Sequence, residues 1–390
     1  MSKTLVIVLA ETRAHELTFE NIKENLIDRL NADLCVCIGI KPNYDYSNPF
    51  YQSAKYRFVY EEQEAFNEAF DTMYDTILKE NQHQRKNVYD VFENTNFLYG
   101  KLPHPKTSDD NIEYLGDYDS VELTDLDFFS YEEIVYHSAE FGHEDWKRGL
   151  YGIKKSLKNF VSEKNVVSYR KQSVQLHWRD LFAINEQFMG GIVDNGKNYP
   201  GSAGILVFFR WFLLQKLREN NLIEQYDRFI ITRSDYLFQV PHVDLSMLDE
   251  KYVWIPDEEY YGGYTDRHAV LSKHNIEDYL DIMSSFVNDS SNYLSKLKLN
   301  SSFWVCNLET LIKFHLLVYK ENPEYIKTFP YVMYAVRPID GTTRWGLGRW
   351  SDEYNYYIKY DGEYGKAMHY KRLFEESDKN VEEFYKNLIV

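Results

Sequence analysis

Residues 4–10, Thr-Leu-Val-Ile-Val-Leu-Ala, form a continuous apolar run rich in β-branched side chains, and residues 32–40 form a second. Unbroken runs of this kind suit strands that are buried on both faces of a sheet. Between them, residues 18–30 set Phe19, Ile22, Leu26, Ile27 and Leu30 on one face of a helix, with Thr18 in position to cap it. Strand, helix and strand in this order predict a βαβ unit with parallel strands and a right-handed crossover. A ligand of such a sheet binds beyond the carboxyl ends of its strands, which puts Ala10, Thr12 and Arg13 at the mouth of a site.

Bulk properties narrow the partners. The net charge is −17, and a chain this acidic repels a polyanion, because nucleic-acid affinity rests on Lys and Arg neutralising phosphates. No nucleic-acid partner is expected, although a few local Arg residues suffice for a single nucleotide. The first apolar run is shorter than the about 18 residues a membrane span needs, lacks a cleavage-site pattern and has no longer counterpart, so no transmembrane segment is expected. The three cysteines, Cys35, Cys37 and Cys306, show no zinc spacing, and Cys35 and Cys37 read as buried thiols on one strand face. A reducing, cytoplasmic location fits.

Further along, the expected elements are an exposed amphipathic helix over 61–79, a polar loop over 103–127, a short strand at 132–137, and helices near 174–189 and 202–220. Residues 226–235 read as a buried strand ending in charge. Strands at 251–256, 266–272 and 331–337, helices near 275–288 and 307–320, and an amphipathic tail over 366–389 follow. The expected organisation is one α/β domain over 1–350, with 41–150 as an irregular insertion and 351–390 as a helical tail packed on the domain. His137 and His143 lack metal-ligand spacing and read as ordinary histidines.

Arg233-Ser234-Asp235 stands at the carboxyl end of the 226–235 strand and carries the clearest chemistry. It offers one carboxylate and one guanidinium. The carboxylate suits a divalent cation, Mn²⁺ or Mg²⁺, bridging two phosphates, and the guanidinium suits direct bidentate grip of phosphate. Both routes stay open. Gly262-Gly263 forms a turn where backbone approaches closely, and Tyr264, Asp266 and Arg267 follow. Asp266 and Glu309 are rival general bases; Glu309 also reads as an acid in the first turn of a helix. Arg337, Arg344 and Arg349 lie in or beside a Gly-rich loop suited to a diphosphate. No G-x-x-x-x-G-K-[ST], G-x-S-x-G or G-x-G-x-x-G motif is present.

In their order, Arg233-Ser234-Asp235, then Gly262-Gly-Tyr-Thr-Asp-Arg267, then Glu309 opening a helix resemble the GT-A glycosyltransferase fold. More narrowly, they are similar to bacterial and viral polysaccharide glycosyltransferases in which an R-x-D strand end replaces D-x-D. The likeness spans residues 1–40, including Thr12-Arg13 and Asn31-Ala-Asp-Leu34, and residues 175–340. It implies a mostly parallel, Rossmann-like sheet flanked by helices. It implies that Asp235 contacts a metal or the donor's ribose-diphosphate, in a donor site with Ala10, Thr12, Arg13, Arg233, Ser234, Arg337 and Arg344. Asp266 would face sugar or acceptor, beside Gly262, Gly263, Tyr264 and Arg267. Arg233 in place of the first Asp leaves metal dependence open. The expected activity is glycosyl transfer from a nucleoside-diphosphate sugar to a hydroxyl of a glycan acceptor. A nucleotidyl- or phosphoryl-transfer enzyme on the same sheet, or a non-catalytic glycan-binding protein, is the alternative.

Overall fold

The computed structural model describes residues 3–62, 66–80, 177–179, 192–194, 196–198, 202–257, 261–289, 293, 307–320, 325–341 and 346–389. The chain divides into two compact units. The first comprises residues 1–64, 205–281 and 308–390, and the second 65–204 and 282–307.

The first unit is built on a seven-stranded sheet. In chain order its strands are β1 (Thr4–Ala10), β2 (Asp33–Ile40), β3 (Tyr56–Glu61), β4 (Arg228–Thr232), β5 (Val253–Pro256), β6 (Ala269–Ser272) and β7 (Ile326–Phe329). Across the sheet they run β7-β5-β6-β4-β1-β2-β3. Only β6 is antiparallel to its neighbours, β4 and β5; the remaining pairs are parallel. The protein is therefore α/β with a mostly parallel, Rossmann-like sheet. The chain leaves β1 toward β2 on one side and is joined by β4 on the other, so a switch point lies between β1 and β4.

Why the early strands are unbroken apolar runs is plain from their burial: every residue of β1 and β4 is buried. On one face Val6, Val8, Val36, Ile38 and Ile230 pack with Phe19, Ile22 and Leu26 and with Tyr370, Phe374 and Phe384 of the C-terminal helices. On the other, Ile7 is in register with Cys35 and Ile231, and Leu9 with Cys37. Tyr60 of β3 meets the rings of Phe208 and Phe212, which brings the helix Ala203–Glu219 to this side. Both thiols are buried and unpaired, as their spacing predicts.

Several expectations are corrected. The first helix spans His15–Ile22 and widens into π turns over Lys23–Asp28. Its N-cap is Ala14 in the left-handed region, so Thr18 is not a cap. Instead the Thr18 hydroxyl lies 2.8 Å from the Ala14 carbonyl and 2.5 Å from that of Ser234, tying the helix to the end of β4. Within the segment 41–150 expected to be irregular, a short helix, Pro49–Ser53, and β3 complete the sheet. The amphipathic helix is Asn67–Glu80, and it buries Phe70, Met73, Tyr74 and Ile77 rather than standing exposed. The tail does not begin as helix. Arg349–Ser351 and Tyr356–Ile358 form a hairpin, and the second of these strands pairs with Met333–Arg337, which pairs in turn with Tyr236–Phe238. The last pairing is satisfied across 95 to 99 residues of sequence, Met333 with Phe238 to Ala335 with Tyr236, where local periodicity carries no signal. Helices Asp361–Glu376 and Val381–Lys386 then follow. The expected loop at 103–127, the strand at 132–137, His137, His143 and Cys306 lie outside the described residues, as does most of the helix near 174–189.

In the second unit, Arg179 grips Asp71 and Asp194, each through two hydrogen bonds or more, and Trp178 donates to Asp71 at 2.8 Å. A hairpin, Val193–Asp194 with Lys197–Asn198, turns on Gly196 at φ +78°. Among the described residues no helix is long and apolar enough to cross a membrane.

Ile231 lies in β4, in register with Ile7 of β1, and is 1% exposed. Ile231→Ala is expected to lower stability by about 2–5 kcal/mol through lost transfer energy and the cavity left behind. Equilibrium urea unfolding measures this; a loss under about 1 kcal/mol contradicts the packing described.

Candidate functional site

The carboxyl ends of β1 and β4 are laced together by the loops that leave them. β1 ends at Ala10 with φ 73°, and Ala14 has φ 58°. Left-handed alanines are strained, and they bracket Glu11-Thr12-Arg13. The Ser234 hydroxyl donates to the Arg13 carbonyl at 2.9 Å. Asn48 donates to the Thr12 carbonyl at 3.0 Å, and the hydroxyls of Thr12 and Tyr44 are 2.8 Å apart. The loop after β1 is thus held from both sides, and Ala10, Thr12, Arg13, Arg233, Ser234 and Asp235 come together as the sequence leads one to expect.

Asp235 is 1% exposed and surrounded by charge. Arg233 donates Nε to Oδ1 at 2.8 Å and Nη2 to Oδ2 at 2.7 Å. Arg337 donates Nη1 to the same Oδ2 and, at 2.7 Å, to the Val336 carbonyl. Strand pairing makes this meeting possible, since the Val336 amide donates to the Asp235 carbonyl at 2.8 Å. Burial pushes the Asp235 carboxyl up, but Arg233 and then Arg337 outweigh it and hold the group far below the usual carboxylate range. Arg337 is buried, and among the described residues its Nε has no hydrogen-bond partner.

Lys359, which follows the strand Tyr356–Ile358, joins this cluster. Its amine donates to the Gly346 carbonyl. Burial first, then repulsion from Arg337, Arg233 and Arg13, pulls its pKa down to about 8, against the attraction of Asp235. Gly348 explains how the loop comes so close: at φ +100°, an added Cβ would stand 2.1 Å from the Ile358 carbonyl. Four cations, Arg13, Arg233, Arg337 and Lys359, thus share their surroundings with buried Asp235 and with Glu11, which pairs with Arg13 nearer the solvent.

A second buried ion pair lies beneath. Arg267 donates to Glu363 Oε1, which also accepts from the Tyr331 hydroxyl at 2.9 Å, while Oε2 accepts from the Ala335 amide at 2.9 Å. The Tyr331 hydroxyl is 2.9 Å from that of Tyr236, the residue after Asp235. Arg267 is 6% exposed, with the rings of Tyr360 and Tyr261 at 4.3 and 5.2 Å from its guanidinium carbon. Its contact with Asp266 is a secondary one at 3.8 Å, so Arg267 positions its neighbours rather than presenting a free guanidinium.

Asp266 and Glu309, the rival bases, are neighbours. The reason is Gly263: a Cβ there would stand 1.9 Å from the Glu309 carbonyl carbon, so the Gly262-Gly263 turn lies directly on the opening of helix Leu308–Lys313. Tyr264 secures the contact by donating its amide to the Glu309 carbonyl at 2.9 Å. The close backbone approach expected of Gly263 is thus to a helix. Arg210, from the helix Ala203–Glu219, holds the Asp266 carbonyl at 3.2 Å. Burial, and then the charge of Asp266, raises the Glu309 carboxyl to about 7. Two nearby carboxylates with one raised to neutrality are suited to accepting a proton.

Arg344 lies outside the described residues, and Arg349 is exposed and paired with Asp361 at 2.7 Å. Lys359, Glu363 and Arg210 were not legible as site residues, because nothing in their local sequence distinguishes them from surface charge. The donor set does not fit a divalent cation. Both oxygens of Asp235 already accept from guanidinium groups, and among the described residues no three His, Cys, Asp or Glu side chains gather as a metal site. The chain matches no family model, no curated protein and no solved structure.

Glu309 holds its proton more tightly folded than unfolded. Its contribution to stability is present below its ordinary 4.5 and is lost as pH rises through about 7. Glu309→Gln is therefore expected to melt above the wild type at about pH 8, with the difference closing near pH 4.5. Scanning calorimetry across that range tests it; an equal difference at both ends removes the buried-acid assignment. Gly263→Ala is expected to cost about 1–3 kcal/mol in urea unfolding, because the helix opening must move; wild-type stability contradicts the close approach.

Proposed function

We propose that this chain is a glycosyltransferase of GT-A type, acting in the cytoplasm on a nucleoside-diphosphate sugar and a glycan acceptor. The observation that carries the reading is the concentration of Arg13, Arg233, Arg337 and Lys359 around the carboxyl ends of β1 and β4. Open α/β sheets receive their ligands at this switch point, and a diphosphate is the anion that such a set of cations complements. A neighbouring pair of carboxylates, Asp266 and Glu309, supports the same reading, because transfer to a hydroxyl requires a base.

In the reaction, an acceptor hydroxyl gives its proton to a carboxylate, with Glu309 the better base by its raised pKa. The oxygen forms a bond to the anomeric carbon. The bond from that carbon to the diphosphate oxygen breaks, and its electron pair leaves with the nucleoside diphosphate. Negative charge grows on the departing group, where cations in a partly buried site are most effective. Arg267, buttressed by Glu363, keeps its place between the two halves of this arrangement, acting on Arg233 on one side and on Glu309 on the other. Asp235 holds Arg233 and Arg337 in place and is itself a positioning residue.

A thermal-shift panel of UDP, GDP, CDP and their sugars tests the reading, since a ligand of the native state raises the melting temperature. One nucleotide sugar is expected to stabilise the chain. Glu309→Gln is expected to keep that shift while lowering turnover by about 10²–10⁴. Stabilisation by glycans alone would indicate a binding protein, and no response to any nucleotide would defeat the proposal.

A further inference from the structure

We propose that the chain binds and releases the donor's diphosphate without a divalent cation, the charge of the leaving group being met by Arg337 and Lys359. This rests on the glycosyltransferase reading and deepens it. Hard cations need several free oxygen ligands, and the carboxylates that lie among these cations are already engaged by protein donors. Asp235 Oδ1 accepts from Arg233, and Oδ2 from both Arg233 and Arg337. The Glu363 oxygens are taken by Arg267, Tyr331 and the Ala335 amide, and Glu11 pairs with Arg13.

The electrostatics run the same way. A divalent cation entering here meets Arg13, Arg233, Arg337 and Lys359, whereas a diphosphate is attracted by all of them. The buried arginine also carries an unsatisfied donor. Arg337 is 2% exposed, and among the described residues its Nε has no hydrogen-bond partner although Nη1 is bonded twice. Buried donors in native proteins are normally paired, so an orphaned guanidinium nitrogen in a cationic cluster points to an anionic acceptor. Asp235 has the role of a clamp: it keeps two mutually repelling arginines together in the absence of ligand. Lys359 reaches the same cluster from the opposite strand and hydrogen-bonds the Gly346 carbonyl.

The test is isothermal titration of the full chain with UDP, GDP and CDP at matched ionic strength, in EDTA, in Mg²⁺ and in Mn²⁺. The nucleotide that binds is expected to do so with a Kd differing by less than roughly threefold among the three arms, and to weaken as salt rises. Lys359→Gln and Arg337→Gln are each expected to weaken it by roughly tenfold or more. Lys359→Arg is expected to retain the affinity, and it serves where the neutral variants fail to fold. Binding tighter by roughly threefold or more in either metal overturns metal independence and leaves the glycosyltransferase reading standing. Unchanged affinity in Lys359→Gln, or loss of affinity in a folded Lys359→Arg, overturns the assignment of Lys359. Absence of binding in every arm sinks both proposals together.

Discussion

The carboxylate of Asp235 is the interaction on which the rest of the site depends. Two guanidinium groups converge on it, Arg233 from the turn after β4 and Arg337 from a strand far away in sequence, and without that charge they would face each other in a buried environment. Removing one member of a buried ionic set is costly, because the remaining charge keeps its desolvation penalty and loses its compensation. Asp235 therefore has a structural task as well as a place in the site. The same geometry explains why an acid that emerges at a strand end, where a metal ligand is expected, is occupied here by protein donors.

Charge is organised in two tiers. The upper tier is cationic around Asp235; the lower holds Arg267 against Glu363, with the hydroxyls of Tyr331 and Tyr236 completing the hydrogen bonds. Arg267 connects the upper tier to the carboxylate pair of Asp266 and Glu309, since its charge acts on both. A buried polar network of this kind is stable only when its members are satisfied, and Glu363 has three donors. Among the described residues the Nε of Arg337 lacks a partner, as do the Nε atoms of the buried Arg210 and Arg228, but only Arg337 lies against Asp235.

Buried histidines show how the same rule works where no charge is held. His242 and His268 are paired through their Nε2 atoms at 3.2 Å. His242 Nδ1 donates to the Val243 carbonyl at 2.9 Å, which leaves its Nε2 as acceptor for His268; His268 Nδ1 then accepts from the Thr232 hydroxyl at 3.0 Å. Burial drives both pKa values down, so both rings are neutral, and every nitrogen is satisfied in one consistent set of tautomers. This closed chain supports the carboxyl end of β4 from below and makes no claim on a ligand.

Local pattern in the sequence determined the strands β1, β2 and β4, the helix between the first two, and the strand ends where Arg13 and Arg233-Ser234-Asp235 emerge. Those features follow from periodicity and burial, which act over a few neighbouring residues. The Gly262-Gly263 turn was legible too, but what fills the space beside Gly263, the opening of the Glu309 helix, was not. Arg337 was a candidate from the sequence, but only the tertiary structure decided that Lys359, Glu363 and Arg210 join the site. Strand pairing and the compensation of buried charge bring together groups separated by as many as 346 residues, the span from Arg13 to Lys359, and neither leaves a mark on the sequence around them. A lysine bound for the surface and one bound for a buried cationic cluster are the same letter until the fold supplies their neighbours.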